Sequence, residues 1–136
     1  MLLALLAFAG LDSQQVCPDR VTVAAAATAC PLHLFFDSGE AEIRREWNPV
    51  IEQAAGLAKG GRRLLIVGHS DTPGSAAANR RVAQRRAETV AAALVAAGVP
   101  ATSLELRSAG ESQLLVPTAE GVREIQNRRV AITPLP

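Results

Sequence analysis

The 136-residue chain has no tyrosine, one tryptophan and three phenylalanines, so aromatic residues make up only 3% of it. At that level the stacking platforms used to hold single-stranded nucleic acid are scarce. Net charge is small as well: 14 basic against 13 acidic residues leave +1. That balance argues against a module that grips polyanions through bulk charge, and equally against an acidic one. Lysine is nearly absent, Lys59 being the single one among the basic residues. The arginines that remain carry the rigid fork suited to carboxylate or phosphate, although the abundance of alanine makes genome composition the simplest source of most of them. No apolar stretch approaches the ~18–20 residues of a membrane span.

What is present describes a globular domain. Hydrophobic residues reach 49% and charged ones 20%, enough to bury a core within one domain. The opening run Met1 to Gly10 is apolar and ends in Ala7-Phe8-Ala9. It reads as the end of an export leader with cleavage after Ala9, without the usual positive start. In an exported chain the two cysteines, Cys17 and Cys30, read as a disulfide closing a short loop. Zinc held by these two with His33 and His69 lacks a tight C-x-x-C pair, so no metal is expected. A lipid anchor on Cys17 lacks small residues before it, because Gln14-Gln15-Val16 stand there. The expected organisation is a leader remnant over 1–10, an extension with the disulfide over 11–30, and a folded domain over 31–136.

Along that domain the pattern alternates. Pro31 to Phe36 predicts a strand. From Glu40 to Lys59 the apolar positions Ile43, Trp47, Val50, Ile51, Ala54 and Ala58 recur at helical spacing, with Pro49 starting or interrupting the helix and Gly60-Gly61 stopping it. Arg62 to Gly68 predicts a central strand, His69 to Ser75 a turn, and Ser75 to Ala97 a long alanine-rich helix stopped by Gly98 and Pro100. Leu104 to Ala109 predicts a third strand. Residues 110–127 read mostly as loop, with room for a helical turn at Glu120–Ile125, and Arg129 to Thr133 closes the domain. The order β-α-β-α-β-β implies an α/β fold, a sheet covered by helices.

Helical phase singles out one residue. At 100 degrees per residue, Asn79, Ala83, Ala87, Val90, Leu94 and Ala97 fall within about 100 degrees of Arg86. Arg86 and Asn79 therefore share the inward stripe, while Arg81 and Arg85 point to solvent. A buried guanidinium needs a partner, and Asp71 in the preceding turn is the nearest acidic candidate. Two readings follow. In one, Asp71 and Arg86 form a salt bridge that locks turn to helix. In the other they are separate poles of a pocket for a zwitterion, placed where open α/β sheets bind ligands.

A resemblance favours the second. Gly68-His-Ser-Asp71-x-x-Gly74, followed by Asn79-x-x-Val82-Ala83-x-x-Arg86-Ala87-x-x-Val90, resembles the OmpA-like C-terminal domain family, which includes Pal and the periplasmic part of MotB. The likeness continues through Gly98-Val-Pro100, Gly110-Glu111-Ser112 and Asn127-Arg128-Arg129-Val130, and covers residues 31–133. It implies an α/β sandwich with a mixed sheet against two main helices, in the periplasm or cell envelope of a Gram-negative bacterium. It also implies non-covalent peptidoglycan binding without cofactor or catalysis. By resemblance, Asp71 accepts from the ammonium of meso-diaminopimelate in the stem peptide and Arg86 binds its carboxylate. Asn79 and Arg128 line the same groove, and Asp37 and Thr72 match positions that can face it. The partner expected is diaminopimelate-type peptidoglycan, beside any envelope protein that the sequence does not name.

Two other functions are weighed. A triad of His69, Ser70 and Asp71 fails because neighbours on an extended segment point to opposite faces. Asp37 and Asp71 are the only plausible carboxylate pair for a glycosidase, and no elongated cleft is implied. A phosphate-binding patch of Arg80, Arg81, Arg85, Arg128 and Arg129 would make an arginine-rich module for nucleic acid or another anionic ligand. Scarce aromatics and export argue against nucleic acid, and arginines on an outer helix face are more often simply solvated.

Overall fold

The computed structural model describes residues 30–136. The expected leader, most of the extension and Cys17, one end of the expected disulfide, lie outside the described residues. Strands β1 (Leu32–Phe35), β2 (Leu64–His69), β3 (Leu104–Gly110) and β4 (Arg129–Pro134) form one sheet of order β1-β4-β2-β3. Strand β4 runs antiparallel to both β1 and β2, whereas β2 and β3 are parallel. Helices α1 (Asn48–Lys59) and α2 (Ala76–Ala96) complete the β-α-β-α-β-β order expected from the sequence. The fold class is α/β, a mixed sheet against two helices.

One apolar layer joins them. Leu34, Leu64, Ile66, Val130 and Ile132 from alternate strand positions pack with Ile51, Ala54 and Ala58 of α1 and Ala87, Val90 and Leu94 of α2. The alanines of α2 let the helix lie close to the sheet. At Gly68 a Cβ would stand 1.9 Å from the Ala83 carbonyl oxygen, so β2 carries a glycine one residue before its end, where the helix backbone passes over it.

Both helices take their ends from local chemistry. The Ser75 hydroxyl accepts the Ala78 N–H at 3.1 Å and caps α2. Beyond α2, Gly98 adopts φ +99°, a value that favours glycine. Helix α1 begins at Asn48 rather than near Glu40, with Pro49 in its first turn. A proline there forfeits no helical hydrogen bond. A separate 3₁₀ turn, Arg45–Trp47, precedes it, so Ile43 and Trp47 keep helical spacing without belonging to one helix. The helical turn expected at Glu120–Ile125 falls at Ile125–Asn127, where the Glu124 carboxylate accepts the Gln126 N–H.

Candidate functional site

Three segments meet at the carboxyl end of β2. The chain leaving β1 is fastened to the chain entering β4: Phe36 N–H donates to the Arg128 carbonyl at 2.8 Å, and Arg128 Nε donates back to the Phe36 carbonyl at 3.0 Å. The turn after β2 supplies Asp71 and Thr72, and α2 lays Asn79 and Arg86 against both. All four are buried.

Arg86, 1% exposed, occupies the centre. Its Nε donates to the Glu40 carbonyl at 2.7 Å, Nη1 to His69 at 3.0 Å and Nη2 to Asp37 at 3.0 Å. The guanidinium lies 5.4 Å from the centre of the Phe36 ring, within cation–π range. Burial pushes its pKa down to about 10, Asp71 opposing that shift and Arg128 and Arg85 adding to it. It stays cationic at neutral pH. Three of its five N–H groups go to main-chain carbonyls, and among the described residues no carboxylate stands within ion-pair distance.

The direct Asp71–Arg86 salt bridge weighed from the sequence is therefore not formed. Asp71 pairs instead with Arg128, whose Nη1 donates to Oδ2 at 3.0 Å, and the same oxygen accepts the Glu124 N–H at 3.3 Å. Asp71 Oδ1 has no hydrogen-bond partner among the described residues. Asn79 adds an amide whose Nδ2 likewise lacks one there, and Gly74 borders its Oδ1.

The other expected residues take different parts. Thr72 faces the long 111–127 loop, its hydroxyl shared between the Ala119 and Val122 carbonyls at 2.9 and 3.3 Å. Asp37 is present through its carbonyl; its carboxylate sits in solvent 3.4 Å from Arg44. Beside Thr72 a cleft of about 410 Å³ opens between the β2–α2 turn and the long loop, lined also by Gly74, Ala76, Glu111, Glu120 and Gly121. Sequence reasoning missed the parts played by Glu40, Glu124 and Asn127. The first two act through their backbone, which side-chain identity does not announce. The buried Asn127 amide exchanges two hydrogen bonds with Val116, at 2.8 and 2.9 Å, and so ties down the long loop; its place beside Arg128 was the available signal.

The arrangement bears on two other readings. The His69 ring bonds the Gln113 carbonyl at 3.2 Å and is not joined to Asp71, so His69, Ser70 and Asp71 form no relay. The arginine patch is dispersed, because Arg129 is buried and Arg128 is held by Asp71 and Phe36, which leaves Arg80, Arg81 and Arg85 at the surface. Among the described residues there is no cluster of three or more potential metal ligands, and no helix is long and apolar enough to cross a membrane.

Fold and site together define the class: an α/β sandwich, a mixed sheet against two helices, that holds a buried carboxylate and a buried guanidinium at the end of β2. Residues 35–128 match the OmpA family, and the chain belongs to it. It is 38% identical over 70 residues to the outer-membrane lipoprotein YfiB of Pseudomonas aeruginosa, covering 52% of this chain and 42% of that one. It is 33% identical over 102 residues to the peptidoglycan-associated lipoprotein of the same organism, covering 72% and 59%. The chain thus spans roughly half the length of these curated relatives. The crystal structure of the peptidoglycan-associated lipoprotein from Burkholderia pseudomallei superposes with a TM-score of 0.71 at 27% identity, covering 76% of this chain and 89% of that one. These likenesses put the chain in the periplasm and cell envelope of a Gram-negative bacterium.

Proposed function

We propose that the chain is a non-catalytic peptidoglycan-binding domain that grips the meso-diaminopimelate of the stem peptide. One observation carries the reading. A buried carboxylate keeps one oxygen without a partner while a buried guanidinium keeps two N–H groups unassigned, both at the end of β2. The far end of diaminopimelate bears an ammonium and a carboxylate on one carbon, and so complements the pair. Asp71 Oδ1 receives the ammonium, and Arg86 receives the carboxylate through its remaining N–H groups. Asn79 and Arg128 border the same space, whereas Asp37 and Thr72 shape it through the backbone and the loop. The name of the Pseudomonas relative, a peptidoglycan-associated lipoprotein, supports the polymer as ligand.

The test is co-sedimentation with purified sacculi of the diaminopimelate and lysine types. The wild-type chain pellets with the first only, because a lysine side chain has the ammonium without the carboxylate. Asp71→Ala and Arg86→Ala both stay in the supernatant while circular dichroism shows them folded. Equal pelleting with both sacculi overturns the diaminopimelate assignment, and pelleting of both variants overturns the pocket.

A further inference from the structure

The few aromatic side chains of the described residues, Phe35, Phe36 and Trp47, stand together at the carboxyl end of β1. Phe36 lies in the core beneath Arg86. Phe35 alternates with the core residues Leu34 and Phe36 and so turns the other way. There its ring meets Trp47 at 5.5 Å between centres and His33 at 6.1 Å. Phe35 and Trp47 both stay partly exposed. A tryptophan kept for packing generally pairs its N–H, yet Trp47 Nε1 has no hydrogen-bond partner among the described residues.

This aromatic pair is level with the pocket. Val130 of β4 pairs with Leu34 on one side and with Gly68 on the other, so Phe35 stands across from His69, two residues before Asp71. Two strand spacings separate them, about 10 Å. The chain between is polar. Asp37 gives its carbonyl to Arg86 and its carboxylate to Arg44, and Arg44 also reaches Glu46, the neighbour of Trp47, at 3.7 Å. The side chains of Asp37, Arg44 and Glu46 are all exposed.

In peptidoglycan the diaminopimelate is the third residue of the stem, two residues and a lactyl ether from an amino-sugar ring. Two extended residues span about 7 Å, and the lactyl group makes up the rest of the distance. A pyranose turns C–H groups to one face and hydroxyls to its rim. The C–H face suits the negative π face of an aromatic ring, and the rim suits exposed carboxylates and a guanidinium. We propose that Phe35 and Trp47, rimmed by Asp37, Arg44 and Glu46, form a sugar subsite for the glycan strand that carries the stem peptide. The subsite rests on the diaminopimelate reading of Asp71 and Arg86 and adds a second point of contact to it.

Trp47 is the single tryptophan of the chain, so its emission reports on the subsite directly. The full-length protein is titrated with the alanyl-γ-glutamyl-diaminopimelate tripeptide and with the same tripeptide on its disaccharide, by calorimetry and by fluorescence. The disaccharide form binds about 5- to 10-fold more tightly, and it alone shifts the Trp47 emission. Trp47→Leu abolishes that preference and leaves tripeptide affinity unchanged. Arg44→Gln, at an exposed position that the fold does not depend on, reduces the preference in the same selective way. Equal affinity for the two ligands, or an emission that the bound disaccharide form leaves still, overturns the subsite and leaves the pocket standing. A Trp47→Leu chain that weakens both ligands alike also overturns it, because Trp47 then acts only through packing. Heat from neither ligand overturns the diaminopimelate reading itself, and the subsite with it.

Discussion

Arg86 ties three segments together through one guanidinium. Donating to the carbonyls of Glu40, His69 and Asp37, it braces the segments that follow β1 and β2 against α2. A lysine there keeps the charge but reaches at most part of this set, and buried carbonyls left without a donor cost about 1–3 kcal/mol each. Arg86→Lys is therefore expected to lower the unfolding free energy by about 2–4 kcal/mol in urea titration. Arg128→Lys keeps one ion pair with Asp71 and loses the Phe36 contact, a cost of about 1 kcal/mol. Equal losses in the two variants would show that the three carbonyl bonds do not brace the fold. The charge of Arg86 also has a pH consequence. Its folded pKa of about 10 lies below its ordinary value, so burial of the cation is a constant cost below pH 10. That cost is relieved only above it, where the folded chain releases its proton before the unfolded one. Stability between about pH 5 and 9 takes no slope from this group.

At the scale of elements, the close contact between β2 and α2 sets where Arg86 stands against the end of β2. Gly68→Ala drives a methyl into the Ala83 carbonyl 1.9 Å away, and both partners are backbone, so helix and strand must separate. A loss of about 3 kcal/mol or more is expected, with sacculus binding falling as Arg86 moves with the helix. Gly56 in α1 has open space where a Cβ would go, so Gly56→Ala should raise stability by about 0.5–1 kcal/mol. Chemical denaturation of the two variants checks the contrast; a loss of similar sign in both would mean that the close approach at Gly68 is not the cause. The same contact explains what the sequence could reveal. Strand alternation and the inward stripe of α2 set Arg86 and Asn79 on the buried face because a single element carries its own periodicity. The start of α1 was not legible, since Ile43 and Trp47 hold helical spacing across a separate 3₁₀ turn. Nor was the partner of Asp71: proximity in sequence suggested Arg86, yet the ion pair is with Arg128, brought from 57 positions away by β4. Long-range pairing depends on strand order, which local pattern does not encode. Family resemblance had placed Arg128 at the groove without saying what it bonds.

For the whole molecule, a net charge of +1 bears on how binding responds to salt. Recognition of a zwitterion joins one cation to one anion and releases few counterions. Both protein groups are buried, where screening is weak. A phosphate-binding surface behaves otherwise. If Arg80, Arg81 and Arg85 carried the binding, three phosphate contacts on duplex DNA would make affinity fall about 40-fold between about 50 and 200 mM salt. Pelleting with diaminopimelate-type sacculi over the same range is expected to weaken by less than about threefold. The companion variant Arg81→Gln/Arg85→Gln should bind sacculi as the wild type does, because those side chains face solvent on α2, away from Asp71. A steep salt dependence abolished by that variant would move the function from the pocket to the helix surface. A shallow dependence abolished by Asp71→Ala keeps it at the end of β2, where the near-neutral balance of the chain is no obstacle, since the ligand itself carries one charge of each sign.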